Sequence, residues 1–112
     1  MAVEYLVSKG YEIEATKWRV SRYELDIVAR KAGMLAFIEV KASRRDLLGP
    51  PEIRVGYTKR KRIAEAASEY ISQIDNIPEE TRFDVIGILW KEGREPRINH
   101  IISAFTLNDI ES

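Results

Sequence analysis

Residues 23–41 read YELDIVARKAGMLAFIEVK, and the architecture of the chain follows from how this stretch is parsed. Residues 23–29 and 34–41 are two strand-like runs, and Arg30-Lys31-Ala32-Gly33 between them has hairpin length, with glycine to supply a positive φ. Side chains alternate along a strand, so Glu24, Asp26 and Val28 project to one side, and Leu25, Ile27 and Ala29 to the other. On the second run Glu39 and Lys41 share a face, with Ile38 and Val40 opposite. A hairpin closed at Gly33 brings Asp26 and Glu39 to the same end of the sheet. The register is an inference, since a slip of one residue would turn the set to the other face.

Working outward, residues 2–9 carry Val3, Leu6 and Val7 at helical spacing, with Gly10 placed to end a short first helix. From Tyr11 the pattern alternates, Tyr11, Ile13 and Ala15 against Glu12, Glu14 and Thr16, and a bend separates this strand from Trp18 and Val20. Three antiparallel strands in a meander result. Residues 42–57 contain Gly49-Pro50-Pro51 and Gly56 without periodicity and read as a long surface loop. Thr58 can cap a helix whose buried stripe is Ile63, Ala67, Tyr70, Ile71 and Ile74, and Pro78 stops it. Residues 82–90 form the most apolar run and read as a central strand covered on both faces; residues 91–96 turn, and residues 97–105 supply a last strand. Strand, helix and strand in that order favour a right-handed crossover, which sets residues 34–41 parallel to and beside residues 82–90. The expected fold is a single α/β domain over residues 1–112, a mixed sheet with its faces covered by the two helices.

At 112 residues the chain can bury a core without staples, and 45% hydrophobic with 32% charged residues is an ordinary globular balance. Cysteine is absent, which excludes disulfides, thiolate zinc sites and cysteine nucleophiles. No apolar run approaches the roughly 20 residues of a bilayer span, and Glu4 stands where a signal peptide carries lysine or arginine, so a cytoplasmic location is the expectation. The net charge is zero, yet residues 41–62 hold eight basic residues (Lys41, Arg44, Arg45, Arg54, Lys59, Arg60, Lys61, Arg62) against Asp46 and Glu52. Such segregation suits one face turned to a polyanion, and the competing reading is a solvated loop and helix start.

Two carboxylates at the ends of neighbouring strands repel, and a divalent cation between them removes the conflict. All-oxygen ligands favour Mg2+ or Mn2+, which can bind a phosphate oxygen and orient an attacking water. Asp26 and Glu39 are the candidate ligands, the Val40 carbonyl a further one, and Lys41 would hold its ammonium beside the same phosphate or water. Glu24 is a possible supporting acid. The alternative is a set of cross-strand ion pairs, Glu39 and Lys41 with Arg30 or Asp26, on an exposed sheet face. Lys59, Arg60, Lys61 and Arg62 crowd a helix N-terminus where the macrodipole prefers acids, but where free amides and cations together suit a nucleic-acid backbone; Arg44 and Arg45 can extend that track. His100 is the only histidine, and without cysteine it reads as structural. Trp18, Trp90, Phe83 and Tyr70 read as core, and Asp84 as a supporting group for the site or a hydrogen-bond cap.

Glu24-Leu25-Asp26-Ile27-Val28-Ala29-Arg30 followed by Phe37-Ile38-Glu39-Val40-Lys41 resembles the signature of the YraN-type (UPF0102) family, which is similar to PD-(D/E)XK nucleases and archaeal Holliday junction resolvases. The likeness continues through Ala2 to Leu6, Gly10-Tyr11, Trp18-Arg19, Lys59 to Tyr70, Arg82-Phe83-Asp84-Val85, His100 and Ala104-Phe105. It implies a restriction-endonuclease-like fold, Asp26 and Glu39 as metal ligands, Lys41 as catalytic lysine, and a metal-dependent nuclease acting on DNA, branched or structured DNA among its candidate substrates. Resolvase-like nucleases commonly work as dimers, so a homodimer is a further expectation. The chain departs from the family pattern at Tyr23, where a glycine is usual, and at Lys17, where an asparagine is usual. The family's Gly-Glu pair would fall before Met1, outside this sequence. Two other functions remain open on the same fold: a non-catalytic nucleic-acid-binding module and a protein-interaction domain.

Overall fold

A computed structural model describes residues 1–43 and 56–105 of the chain. The elements are α1 (Ala2–Ser8), β1 (Glu12–Val20), β2 (Tyr23–Lys31), β3 (Met34–Ser43), α2 (Tyr57–Ser72), β4 (Glu80–Leu89) and β5 (Arg97–Phe105). They form one five-stranded sheet of order β1-β2-β3-β4-β5. β1, β2 and β3 are an antiparallel meander, β4 runs parallel to β3, and β5 returns antiparallel to β4. With a helix on each face, this is the α/β, restriction-endonuclease-like arrangement that the sequence predicts. No helix among the described residues is long and apolar enough to cross a membrane.

Alternation along the strands sorts the apolar residues into two cores. On the α1 face Leu6 packs with Ile27, Ala29, Ala36, Ile38 and Ile86. On the α2 face Ile63, Ala67 and Tyr70 pack with Val28, Leu35, Phe37, Phe83 and Val85. The seven residues from Phe83 to Leu89 are all buried, as a strand covered on both faces requires.

The hairpin is tighter than its sequence suggests. β2 and β3 pair as far as Lys31↔Met34, leaving only Ala32 and Gly33 in the turn, and the left-handed residue is Ala32 (φ 54°) rather than Gly33. Gly33 answers a different demand. A Cβ there would meet the Glu79 carboxylate at 3.0 Å, and its carbonyl accepts the Glu79 N–H at 2.8 Å, which ties the turn to the entry of β4. Because an L-residue in the left-handed region costs roughly 1–2 kcal/mol, Ala32→Gly is expected to stabilise the protein by up to about 1 kcal/mol in urea unfolding, glycine's chain entropy offsetting the rest.

Other departures have local causes. β1 carries a bulge between Ile13 and Ala15, so Ile13 faces the α1 core and Ala15 the α2 core instead of sharing a side. Lys17 then takes φ 49°, the expected bend. Leu25 packs in the α2-side core, across from the side that strict alternation assigns it. α2 starts after Gly56, whose extended backbone (φ −67°, ψ 161°) makes it the N-cap, so Thr58 lies inside the helix. It ends at Ser72, ahead of Ile74 and Pro78. Trp90 falls just beyond β4 and is 42% exposed, so it does not belong to the core. The loop expected over residues 42–57 is shorter at both ends, since β3 runs to Ser43 and α2 begins at Tyr57; residues 44–55, with Arg44 and Arg45, lie outside the described residues.

Candidate metal and phosphate site

β2 and β3 part company at Asp26. Their ladder ends at Ile27↔Ile38, and beyond it the Val40 N–H donates to Asp26 Oδ2 at 2.8 Å, a side-chain carboxylate standing where a backbone carbonyl would otherwise pair. The N–H and C=O of a strand residue point to the same side. The Val40 carbonyl therefore turns toward the same gap as Asp26.

Glu39 belongs to the α2 face of β3, in line with Leu35 and Phe37, and only 7% of it is exposed. Asp26 is its neighbour across the gap, one step beyond the last pair Ile27↔Ile38. Burial pushes the Glu39 carboxyl above its ordinary pKa and the Asp26 charge adds to the rise; an ion pair from Lys59 Nζ to Glu39 Oε1 opposes both. Lys41 lies close to both Lys59 and Glu39. Burial and the neighbouring Lys59 charge push its ammonium below its usual pKa, against the pull of Glu39. The sequence-predicted trio of Asp26, Glu39 and Lys41 is thus brought together at the C-terminal part of β3, past its last pair with β2 and still paired with β4.

The remaining candidates scatter. Glu24 pairs with Arg19 (Nε to Oε2 3.0 Å) in a partly exposed ion pair of its own. The four basic residues opening α2 radiate in different directions: Lys59 meets Glu39, Arg62 lies over the Tyr23 ring at 4.9 Å, Arg60 over Phe105 at 5.8 Å, and Lys61 edges a groove of about 630 Å3 with Phe37, Ile71 and Phe83. Positions 59 and 62 lie one helical turn apart, so two of the four cations face β2 and β3.

The fit of a divalent ion is decided by the donors. Two neighbouring carboxylates and an inward-turned carbonyl are hard oxygen donors, which suit Mg2+ or Mn2+, and magnesium ordinarily keeps several waters to complete its shell. Among the described residues no third acid or histidine joins them.

A second polar cluster lies on the opposite face; it gives Asp84 the hydrogen-bonding role expected of it, not the supporting role at the acidic site, and joins it to Arg82 and His100, a grouping the sequence did not reveal. Asp84 is fully buried; its Oδ1 accepts from Arg82 Nε (2.8 Å) and the Ser103 N–H (3.0 Å), and its Oδ2 bonds Arg82 (2.8 Å) and His100 Nε2 (2.7 Å). Arg82 also donates to the Tyr11 hydroxyl. His100 is structural, as expected, and Asp84 is a β4–β5 clamp remote from Glu39's face. The available signal was Arg82 and Asp84 two positions apart, hence on one face, inside the most apolar run.

Residues 1–88 match the model of the uncharacterised protein family UPF0102. A UPF0102 protein of Trichlorobacter lovleyi is 42% identical over 108 residues, covering 95% of this chain and 84% of that protein. One from Nocardia farcinica is 38% identical over 105 residues (94% and 83%), and one from Bacteroides thetaiotaomicron 42% over 106 residues (93% and 84%). By the family match and by these near end-to-end likenesses, the chain belongs to the UPF0102 family.

Proposed function

We propose that the protein is a divalent-metal-dependent nuclease that hydrolyses phosphodiester bonds in DNA, branched or otherwise structured DNA being the favoured substrate. The observation that carries this reading is the placing of Asp26 and Glu39 on neighbouring strands just past their last pair, with the Lys59 ammonium on Glu39 and Lys41 close by. Asp26, Glu39 and the Val40 carbonyl would hold Mg2+ or Mn2+, which when bound supplies Lewis-acid polarisation of a phosphoryl oxygen and a more acidic water. Lys41 donates hydrogen bonds to the phosphoryl oxygens as their negative charge grows, in a half-buried setting where that charge is poorly screened by water. Lys59 and Arg62 hold flanking backbone phosphates, and Asp26 fixes the gap by gripping the Val40 N–H.

The test is cleavage of linear, flapped, gapped and four-way DNA with and without Mg2+ or Mn2+. Metal-dependent cutting is expected, and Glu39→Ala should lower it by at least about 100-fold, the usual loss when a charge-stabilising group is removed. A second reading fits a site with two acids among the described residues: a nucleic-acid-binding module on the same fold. On that reading no substrate is cut, and Asp26→Ala leaves binding intact or tighter because it removes a negative charge near phosphate. Failure to bind any nucleic acid at low salt would reject both.

A further inference from the structure

Glu39 is claimed twice. As a ligand it must offer its oxygens to a cation, yet Oε1 is already engaged by the Lys59 ammonium. The two lysines at this carboxylate are not equivalent. Lys41 lies near the C-terminal end of β3, where the strand is still paired with β4 at Gly87, and is half-buried. Lys59 sits in the first turn of α2, its side chain 54% exposed, on a flexible four-carbon stem that can swing to solvent with little loss of packing. A buried carboxylate stripped of its counter-charge is strongly destabilised, so a second cation must be supplied as the first leaves.

We propose that Lys59 exchanges roles at this site: its ammonium neutralises Glu39 while no metal is bound, and on metal binding it is displaced to become a ligand for a backbone phosphate. This rests on the metal site of the preceding section and adds a regulation to it. The exchange couples two binding events through one side chain. Metal must compete with Lys59, which weakens metal binding, and the released ammonium strengthens polyanion binding. By linkage a bound polyanion that captures Lys59 must favour the metal by the same factor. The protein would thus load its cation most readily on nucleic acid, with the ammonium-blocked form prevailing in its absence.

The experiment is calorimetric titration of Mn2+ into the wild-type protein, Lys59→Met, Lys59→Arg, Lys61→Met and Glu39→Ala, at constant ionic strength. It is paired with fluorescence-anisotropy binding of a labelled, cleavage-resistant phosphorothioate DNA with and without Mn2+. Lys59→Met should bind Mn2+ about tenfold more tightly than wild type, the order expected for removing one partly exposed ion pair from a ligand. Lys61→Met removes the same charge from the same helix turn without touching Glu39, and should change the affinity by less than about twofold, long-range charge being screened. Lys59→Arg keeps a cation and should stay within about threefold of wild type. Mn2+ should tighten DNA binding by wild type several-fold more than by Lys59→Met. Equal Mn2+ affinity in wild type and Lys59→Met, or an equal gain in Lys61→Met, overturns the exchange while leaving the metal site standing. Undetectable Mn2+ binding in both wild type and Lys59→Met, or binding unaffected by Glu39→Ala, overturns the metal site and the exchange together. Urea midpoints for each variant verify that the compared proteins are folded.

Discussion

Asp84→Ala is expected to lower the unfolding free energy by about 3–5 kcal/mol, the range for removing one partner of a buried charge cluster. The carboxylate is fully buried and satisfies Arg82, His100 and the Ser103 N–H at once, so truncation strands a guanidinium and an imidazole behind β5. In a domain of this size the melting temperature should fall by more than about 10 °C. Asp84→Asn keeps the shape and one acceptor and should lie between the variant and the wild type. A pH signature accompanies the loss. Burial pushes the Asp84 carboxyl up, but the bonds from His100, Arg82 and Ser103 outweigh it and hold the folded pKa below the ordinary 3.8. Protons therefore bind the unfolded chain first. The stabilisation is complete above about pH 5 and decays as pH falls through the ordinary and then the folded value, so wild type should lose stability with acid more steeply than Asp84→Asn. Equilibrium urea unfolding between pH 2.5 and 7 measures both effects. A wild type and Asp84→Ala that unfold at the same midpoint would show that the cluster does not clamp β5.

The second large effect is expected at Phe37. Its ring is 1% exposed, stacks on Phe83 at 5.8 Å and meets Tyr70 edge-on at 5.9 Å, making it the joint between β3, β4 and α2. Phe37→Ala should destabilise by about 3–5 kcal/mol, combining lost burial with an unfilled cavity. Ile102→Ala serves as the comparison, since that side chain is 55% exposed and its loss should fall within about 0.5 kcal/mol of wild type. Phe37 stands two residues before Glu39 on the same face, so the cavity also loosens the floor of the acidic site. Metal affinity measured below the melting point should weaken in parallel, and a Phe37→Ala protein within about 1 kcal/mol of wild type would remove Phe37 from the core.

The acidic pair was legible because period-2 alternation and a short connection leave few registers, and the one that buries Ile27 and Ile38 sets Asp26 beside Glu39. The parallel pairing of β3 and β4 was legible from the intervening helix alone. What sequence could not supply was local backbone detail. The bulge falls at Glu14, whose carboxylate accepts from Tyr70 and pairs with Arg30, partners 56 and 16 residues away. Nothing adjacent to Glu14 announces them. Basic residues in a row read as one patch, yet a helix distributes consecutive side chains around its axis, so Lys59 reached the acid while Arg60 and Lys61 turned elsewhere.

Both rims of the sheet are irregular: β1 has its bulge and the left-handed Lys17, and β5 has Ser103 at φ 53° opposite a break in its ladder. A strand from a stranger chain needs an unbroken row of amides and carbonyls to add on, and on β1 charged Glu12, Glu14, Lys17 and Arg19 flank the interruptions. Open-ended stacking of one molecule on the next is thereby discouraged at either margin, and a concentrated solution of the folded protein should resist fibril growth even though β1 and β5 each pair with a single strand among the described residues.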